Sequence, residues 1–558
     1  CIHPEDCPED PPRTNTNDNS TNGNDTITST SIIKTQCRTG SKGPLCSECK
    51  PNFIRKGGTC TECSAAEVPT NTGIIISLLI LVIVVLFWIK RKLRKMNKHY
   101  QKAFGDIVLA FKIFISFQQV NGSLPFLLDN YKWPDSYLKF LDRMDFVNID
   151  FSSMIGLDCV VTVNYRYKVS VALAMPVIIV VMMSSLYAWN RYCHLKRKTK
   201  FTSKESHAWY NEIFSLVDED LTNNIDISEF HHMYHEVKKK SLSDAEIIKL
   251  MNKLGAEKNI ITGELVVTRD AFLNSLQRQE MKNILPPADV KYYIDKQHIR
   301  STYMSAAVQL LLLVHAPSSQ KGFYYFATHK LGDKNLLRSD YSIEYNSEYW
   351  LDFLPVVLLL LIGFTLMLPL TLGFLLFRKR KHLQAPATKR VLGFLYTRFR
   401  KGAEAWDVHE SFRRLILTGF LIYFEPNVRA ALAVLVCMVA TSTLHYYRPH
   451  ENKIVFCIAQ LSFLLTAIKY LITMLSSGNS DGLLKPETLG IVLITMDLIV
   501  TIGTLICIVL LMCIVKVKVN DTQRLILQDS KSYQNVSEQQ FSSKSVKIMP
   551  TPLKVSSS

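Results

Sequence analysis

The chain has 558 residues, 48% of them hydrophobic, a formal charge of +17 and a mean hydropathy of +0.09. Several apolar spans joined by polar loops give such values. Much of the basicity lies in clusters beside apolar runs, which suits an anionic membrane leaflet better than nucleic acid, and no run of basic and aromatic residues suggests base stacking, so no nucleic-acid partner is expected.

In chain order, residues 1–72 are polar and hold seven of the 13 cysteines, spaced Cys37-x8-Cys46-x2-Cys49-x10-Cys60-x2-Cys63. Two readings compete, a disulfide-stapled module and a zinc site built from two CxxC pairs. Glycosylation sequons at Asn19 and Asn24 favour an oxidising exterior, hence disulfides. Seven is odd, so Cys159 or a cysteine upstream of Cys1 is a candidate eighth partner. The opening CIHPEDC has no initiator Met and no signal peptide, which reads as a processed product or C-terminal piece.

An apolar run at 73–89 is followed by KRKLRK, which places the N-terminus outside by the positive-inside rule. A second run, about 105–126, carries Asp106, Lys112, Gln118 and Gln119. A third, about 169–190, ends in NRYCHLKRKTK. Residues 201–298 are polar and are expected to be cytosolic. A fourth stretch from Ser301 is broken at His315-Ala316-Pro317-Ser318-Ser319. A fifth, 350–377, ends in Arg378-Lys379-Arg380-Lys381. The sixth and seventh, 409–424 and 428–445, form a hairpin around Glu425-Pro426-Asn427, and the eighth and ninth are 453–475 and 489–515. The tail, 517–558, is Ser/Lys/Gln-rich and expected to be disordered. Nine spans from an external N-terminus put every basic flank and the C-terminus inside. Lipid-facing segments must be helical, because unpaired backbone groups in hydrocarbon cost several kcal/mol each. The expected fold is thus an all-α polytopic membrane protein with a small disulfide-rich extracellular module and a cytosolic EF-hand domain. Its expected place is the plasma membrane.

That domain is read from DEDLTNNIDISEF, Asp218 to Phe230. An EF-hand loop of about 12 residues supplies ligands at positions 1, 3, 5, 7, 9 and 12. Here these are Asp218, Asp220, Thr222, the Asn224 carbonyl, Asp226 through water, and Glu229 with both oxygens. Position 6, normally Gly, is Asn223, the next residue most tolerant of a left-handed backbone. Ile225 at position 8 should pair with a second unit ending at Asp270-Ala271-Phe272. There Ile261 and Gly263 replace ligands, so only one loop is expected to bind Ca2+. His231, His232 and His235 read as a solvated surface cluster.

From Leu311 onward, LLLLVHAPSS, LRSDYSIEYNSEYW, LGFLYTRFRKGAEAWDVHESFRRLILTGFL and LHYYRPHENK occur in order. With GPLCSECKPNF ahead of the first span, they resemble the C-terminal membrane module of large surface proteins of protists, algae and early-branching animals. Two departures stand out. No Cys lies near DYSIE, and Trp406-Asp407 stands where Trp-Glu is common. The resemblance implies architecture and no particular activity.

Lys112, Ser116, Gln119 and Ser123 share one face of the second span and are candidates for pore lining or for interhelical hydrogen bonding. Lys469 and Asp497 fall at similar depth on the antiparallel eighth and ninth spans and are expected to pair. The break at Pro317 fits either a discontinuous, ion-binding helix or a proline kink. Arg378, Lys379, Arg380 and Lys381 are candidates for lipid headgroups. No phosphate loop, nucleophile elbow or HExxH motif is present, so no enzyme is expected. The leading expectation is a calcium-regulated, cation-permeable channel, gated mechanically or by a ligand through its ectodomain. The alternatives are a calcium-sensing receptor or adhesion protein with no permeation path, and then a scramblase or transporter. Expected partners are membrane lipids, Ca2+, permeant ions and further copies of the chain.

Overall fold

The computed structural model describes residues 37–63, 98–144, 164–194, 203–477 and 485–513, apart from positions 38, 44, 45, 47, 57, 58, 130, 132, 219, 260–262, 276–279 and 486. The expected span at 73–89, Asn19, Asn24, Cys159 and the tail lie outside these residues.

The N-terminal module is two short antiparallel ladders, β1 (Ser41–Lys42) with β2 (Glu48–Cys49) and β3 (Phe53–Lys56) with β4 (Thr59–Glu62). So small a unit has little apolar area to bury and relies on covalent staples. Disulfides join Cys37 to Cys46 and Cys49 to Cys60, each with Cα atoms 5.5 Å apart, and Cys63 is disulfide-bonded as well. The zinc alternative therefore does not hold for these cysteines. Gly40 has φ +101°, and a Cβ there would lie 2.7 Å from the Phe53 ring, so the turn admits no side chain.

Six helices among the described residues are long and apolar enough to cross a membrane. They are Gly105–Leu127 within α1 (Lys98–Leu127), Tyr165–Cys193 within α3 (Tyr165–His194), a rod Glu348–Arg378, Val428–Tyr447 within α14 (Pro426–Tyr447), Lys453–Ser476 within α15 (Lys453–Ser477), and α16, Glu487–Cys513. Helix α2 (Asp135–Met144) packs amphipathically beside α1. Two of the nine expected spans differ. The sixth is only α13 (Trp406–Thr418) plus a 3₁₀ turn, Phe420–Tyr423. At 1.5 Å per residue α13 is about 20 Å long, short of a ~30 Å hydrocarbon core. The fourth lies in α9 (Pro287–Tyr324), whose apolar stretch is interrupted by His315, Ser318, Ser319, Gln320 and Lys321.

Helix α1 is the most enclosed span, with 56% of its apolar window buried against 22% for α3 and the rod. This is why its polar residues are tolerated. They point into protein, while α3, the rod and α16 present Val177, Val181, Phe374, Phe377, Ile491 and Val509 outward.

The rod is α10 (Glu348–Leu358), a π segment (Leu359–Leu366) and α11 (Met367–Arg378). Gly322 of α9 meets it closely, since a Cβ there would lie 2.8 Å from Leu361. Residues 203–285 form a separate core of Tyr210, Ile213, Phe214, Phe230, Met233, Met251 and Phe272, all fully buried. It comprises α4 (Ser203–Val217), α5 (Ile227–Lys238), α6 (Asp244–Lys253), α7 (Arg269–Asn274) and α8 (Glu280–Ile284) with an antiparallel sheet ordered β5 (Asn224–Ile225), β7 (Leu265–Thr268), β6 (Glu257–Lys258). This core continues without interruption onto Val290, Tyr293 and Ile294 of α9. A second sheet, β8 (Thr328–Leu331), β9 (Lys334–Leu337) and β10 (Asp340–Glu344), follows α9. Helix α12 (Pro386–Tyr396) follows the rod.

Candidate functional site

The loop from Asp218 to Glu229 is bounded by α4 and α5 because the apolar period stops at Val217 and resumes at Phe230, while Asp226 caps the helix between. Asp226 Oδ1 accepts from the Glu229 amide at 2.7 Å, and the Asp226 amide donates back to Glu229 Oε2 at 3.3 Å, a complete capping box. Upstream, Asp218 accepts from the amides of Thr222 (3.0 Å) and Asn223 (3.1 Å), so its carboxylate gathers the turn around itself. Asn223 has φ +63°, the left-handed geometry its position demands, and Leu221 has φ +61°. Thr222 Oγ1 donates to the Asn224 carbonyl at 3.3 Å.

The carboxylates of Asp218, Asp220 and Glu229 can each place one oxygen within 4.8 Å of the others. Three acids this close repel one another. Burial first, and neighbouring Asp220 second, push the Asp218 carboxyl above its usual range. A divalent cation relieves that repulsion, and the all-oxygen set, at positions spaced along a 12-residue loop, suits a hard ion such as Ca2+. Ile225 is fully buried and pairs with Val267 across the β5–β7 ladder, as the second unit should provide. Gly263, in that second unit, has φ +71° and carries no ligand side chain, and Ile261 is outside the described residues.

A cavity of about 710 Å³ lies between the loop and the helices α9 and α12. Asp220, Asp226 and Glu229 line one wall, and Arg300 of α9 and Arg390 of α12 line the other. Arg390 also pairs with Glu212 of α4, and Lys238 of α5 pairs with Asp289 of α9 at 3.1 Å.

The polar stripe of α1 faces α9 and α13 of the same chain. Lys112 pairs with Asp407 at 2.7 Å, Ser116 donates to Glu410 at 2.6 Å, and Ser123 donates to the Leu417 carbonyl at 3.3 Å. Gln119 Nε2 donates to the Leu313 carbonyl at 3.3 Å, and Gln119 Oε1 accepts from Arg414 at 3.3 Å. For Lys112, Ser116, Gln119 and Ser123 the structure gives interhelical bonds to α9 and α13.

The Leu313 contact corrects the expected break. Pro317 has no N–H, so the carbonyl of Leu313, four residues earlier, loses its helical donor. Gln119 supplies one, and α9 runs on unbroken to Tyr324. The rod repeats the device. Pro369 leaves the Thr365 carbonyl, which lies 2.9 Å from His315 Nε2, while Thr365 Oγ1 donates to Ser319 at 2.8 Å. The freed carbonyls are thus held by side chains.

Lys469 and Asp497 form an ion pair, and both are fully buried. Asn121 Nδ2 donates to the same Asp497 oxygen at 2.5 Å, and Lys469 donates to Tyr137 Oη at 3.3 Å. Of the basic run after the rod, Arg378, Arg380 and Lys381 are exposed and Arg380 stacks on Phe377, 4.4 Å from the ring centre. The acids and arginines of α13 were absent from the candidate residues. Asp407, Glu410 and Arg414 recur at spacings of three and four, a helical face that WDVHESFRRL carries openly.

The chain matches no family model, no curated protein and no solved structure.

Proposed function

We propose that this chain is a multi-pass membrane protein in which an EF-hand loop, Asp218 to Glu229, binds Ca2+ and sets the position of α9. The observation that carries the reading is the continuity of α9. Its first turns complete the core of the 203–285 unit, and its later turns pack against α3, the rod and α13. At 1.5 Å per residue its 38 residues are about 57 Å long, enough to join a cytosolic unit to a membrane bundle as one lever.

The chemistry of the coupling follows from the cavity walls. Without the ion, Asp220, Asp226 and Glu229 face Arg300 and Arg390 and attract them. A bound Ca2+ cancels two of the loop's negative charges and recruits Glu229 from its capping role into coordination. Both changes weaken the hold of the loop on α9 and α12, and a ligand moves an equilibrium only through such differential contacts. The output we propose is gated ion permeation through the membrane helices, alone or as an oligomer, in the plasma membrane with the cysteine module outside.

The test is flux through the full chain in liposomes with and without calcium on the loop side. Calcium-dependent conductance that Glu229→Gln abolishes supports the reading. No conductance in either condition sinks the channel and favours the second reading, a calcium-sensing receptor with no permeation path. That reading draws on the use of the α1 polar stripe in packing.

A further inference from the structure

We infer that the bundle holds a small monovalent anion of the chloride class in a second site, between α1, α13, α15 and the turn carrying His450. A cavity of about 30 Å³ lies there. One water needs ~10–15 Å³, and a monatomic anion is of comparable size, whereas phosphate or sulfate is too large. Its charged lining is Lys112, Arg413 and Arg414 against Asp407 and Glu410, one cation in excess. Outside the lining, Arg398 faces Asp407 and Asp106, and Arg398 with Asp106 adds one charge of each sign and leaves the excess unchanged.

The excess resides on Arg414. Both carboxylates are engaged elsewhere. Asp407 pairs with Lys112, and Glu410 accepts from Ser116 and twice from Arg413, at 2.6 and 2.8 Å. Arg414 is 3% exposed, and no carboxylate among the described residues lies within ion-pair distance of it. Its side chain donates to Gln119 Oε1 at 3.3 Å, and its Nε is buried with no acceptor. His450, 4% exposed and on the same cavity, has Nδ1 buried without a partner. A guanidinium always carries its charge and offers five donors. Glu410 and Asp407 also act on Arg414, but each is already bonded to another cation, so three cations share two carboxylates and the buried charge is only partly offset, which is destabilising. A water satisfies the N–H but leaves the charge. A small anion satisfies both, accepting from Arg414 Nε and His450 Nδ1.

Trp406 lines the same cavity and is 7% exposed, so a heavy halide in the site contacts a tryptophan shielded from bulk quenchers. The experiment is bromide titration of intrinsic fluorescence on the full chain in detergent micelles, at constant ionic strength with gluconate as balance. Melting temperature in chloride and in gluconate is measured alongside. The expected result is a saturable quenching component that chloride displaces, with higher melting in chloride. Trp406→Phe should lose the component but keep the chloride stabilisation. Arg414→Gln should weaken bromide binding about tenfold or more. Should that variant fail to fold, the wild type decides alone. Linear, unsaturable quenching with equal melting in chloride and gluconate overturns the site and leaves water as its content.

Discussion

Removing one member of the Lys469–Asp497 pair tests the packing of the bundle most directly. In Lys469→Met the stem is conserved and the charge is lost. Asp497 is then a fully buried carboxylate left with neutral donors alone, the Asn121 amide and the Tyr137 hydroxyl. The lost ammonium also donates to Tyr137 and lies 5.3 Å from the Phe117 ring centre. Breaking a buried pair by deleting one partner costs about 3–5 kcal/mol, because the survivor is uncompensated. Lys469→Met should therefore destabilise by that amount, and so should Asp497→Leu. The double variant should cost much less than their sum, since replacing a buried pair by apolar side chains is often close to neutral. The assay is reversible unfolding in mixed micelles of the two single variants and the double. The reasoning fails if Lys469→Met costs under ~1 kcal/mol, or if the single costs add in the double variant. Either result would mean that water or lipid headgroups reach Asp497.

Calcium binding to the wild-type chain, measured by titration calorimetry, should weaken by about 100-fold or more in Glu229→Gln, which removes the proposed bidentate ligand. An unchanged affinity refutes the assignment of the loop. The same affinity should fall on acidification at a higher pH than for ordinary aspartates of pKa ~3.9. Asp218 is shifted upward by burial and by Asp220, so protons compete with the ion earlier, and a flat profile down to the usual carboxylate range would contradict this. Asn223→Val forces a β-branched residue to φ +63° and should cost about 1–2 kcal/mol in the loop, seen as faster hydrogen exchange in α5, whereas Asn223→Gly should not. Gln119→Leu should cost roughly 1–3 kcal/mol by leaving the Leu313 carbonyl unpaired. In a Pro317→Ala background the helix recovers its own donor, so the part of the penalty owed to the carbonyl should vanish while the part owed to the lost Arg414 acceptor persists. An equal penalty in both backgrounds argues against proline as the cause.

What was legible in the sequence divides along one physical line. Features fixed by one segment's own geometry were readable. The left-handed Asn223 follows from a loop position, and the depth match of Lys469 and Asp497 follows from a rise of 1.5 Å per residue on two antiparallel helices. The polar face of α1 was readable for the same reason. Which surface that face meets was not. Spacing on one helix gives an azimuth but no partner, and the partner, α13, is a short, charged segment that reads as a span in its own right. Read by itself, α13 resembled a poor sixth span. Placed against Lys112, Ser116 and Gln119, its charges are the reason that α1 can carry polar residues inside the bundle.

The prolines show the same limit from the other side. In the sequence, Pro317 amid His315, Ser318 and Ser319 marks a helix that lacks one backbone bond, and two outcomes satisfy the freed carbonyl, an ion or a side chain. The choice lies about two hundred residues away in sequence, at Gln119, and for Pro369 at His315. Both acceptors lie on or beside α9, so the helix that the 203–285 unit would move is also the one whose backbone is tied laterally to α1 and to the rod. A shift of α9 cannot be confined to one end. It must break or carry with it the Gln119 and Thr365 bonds. This makes Gln119 and His315 the places where calcium loading at the loop should first be felt inside the bundle.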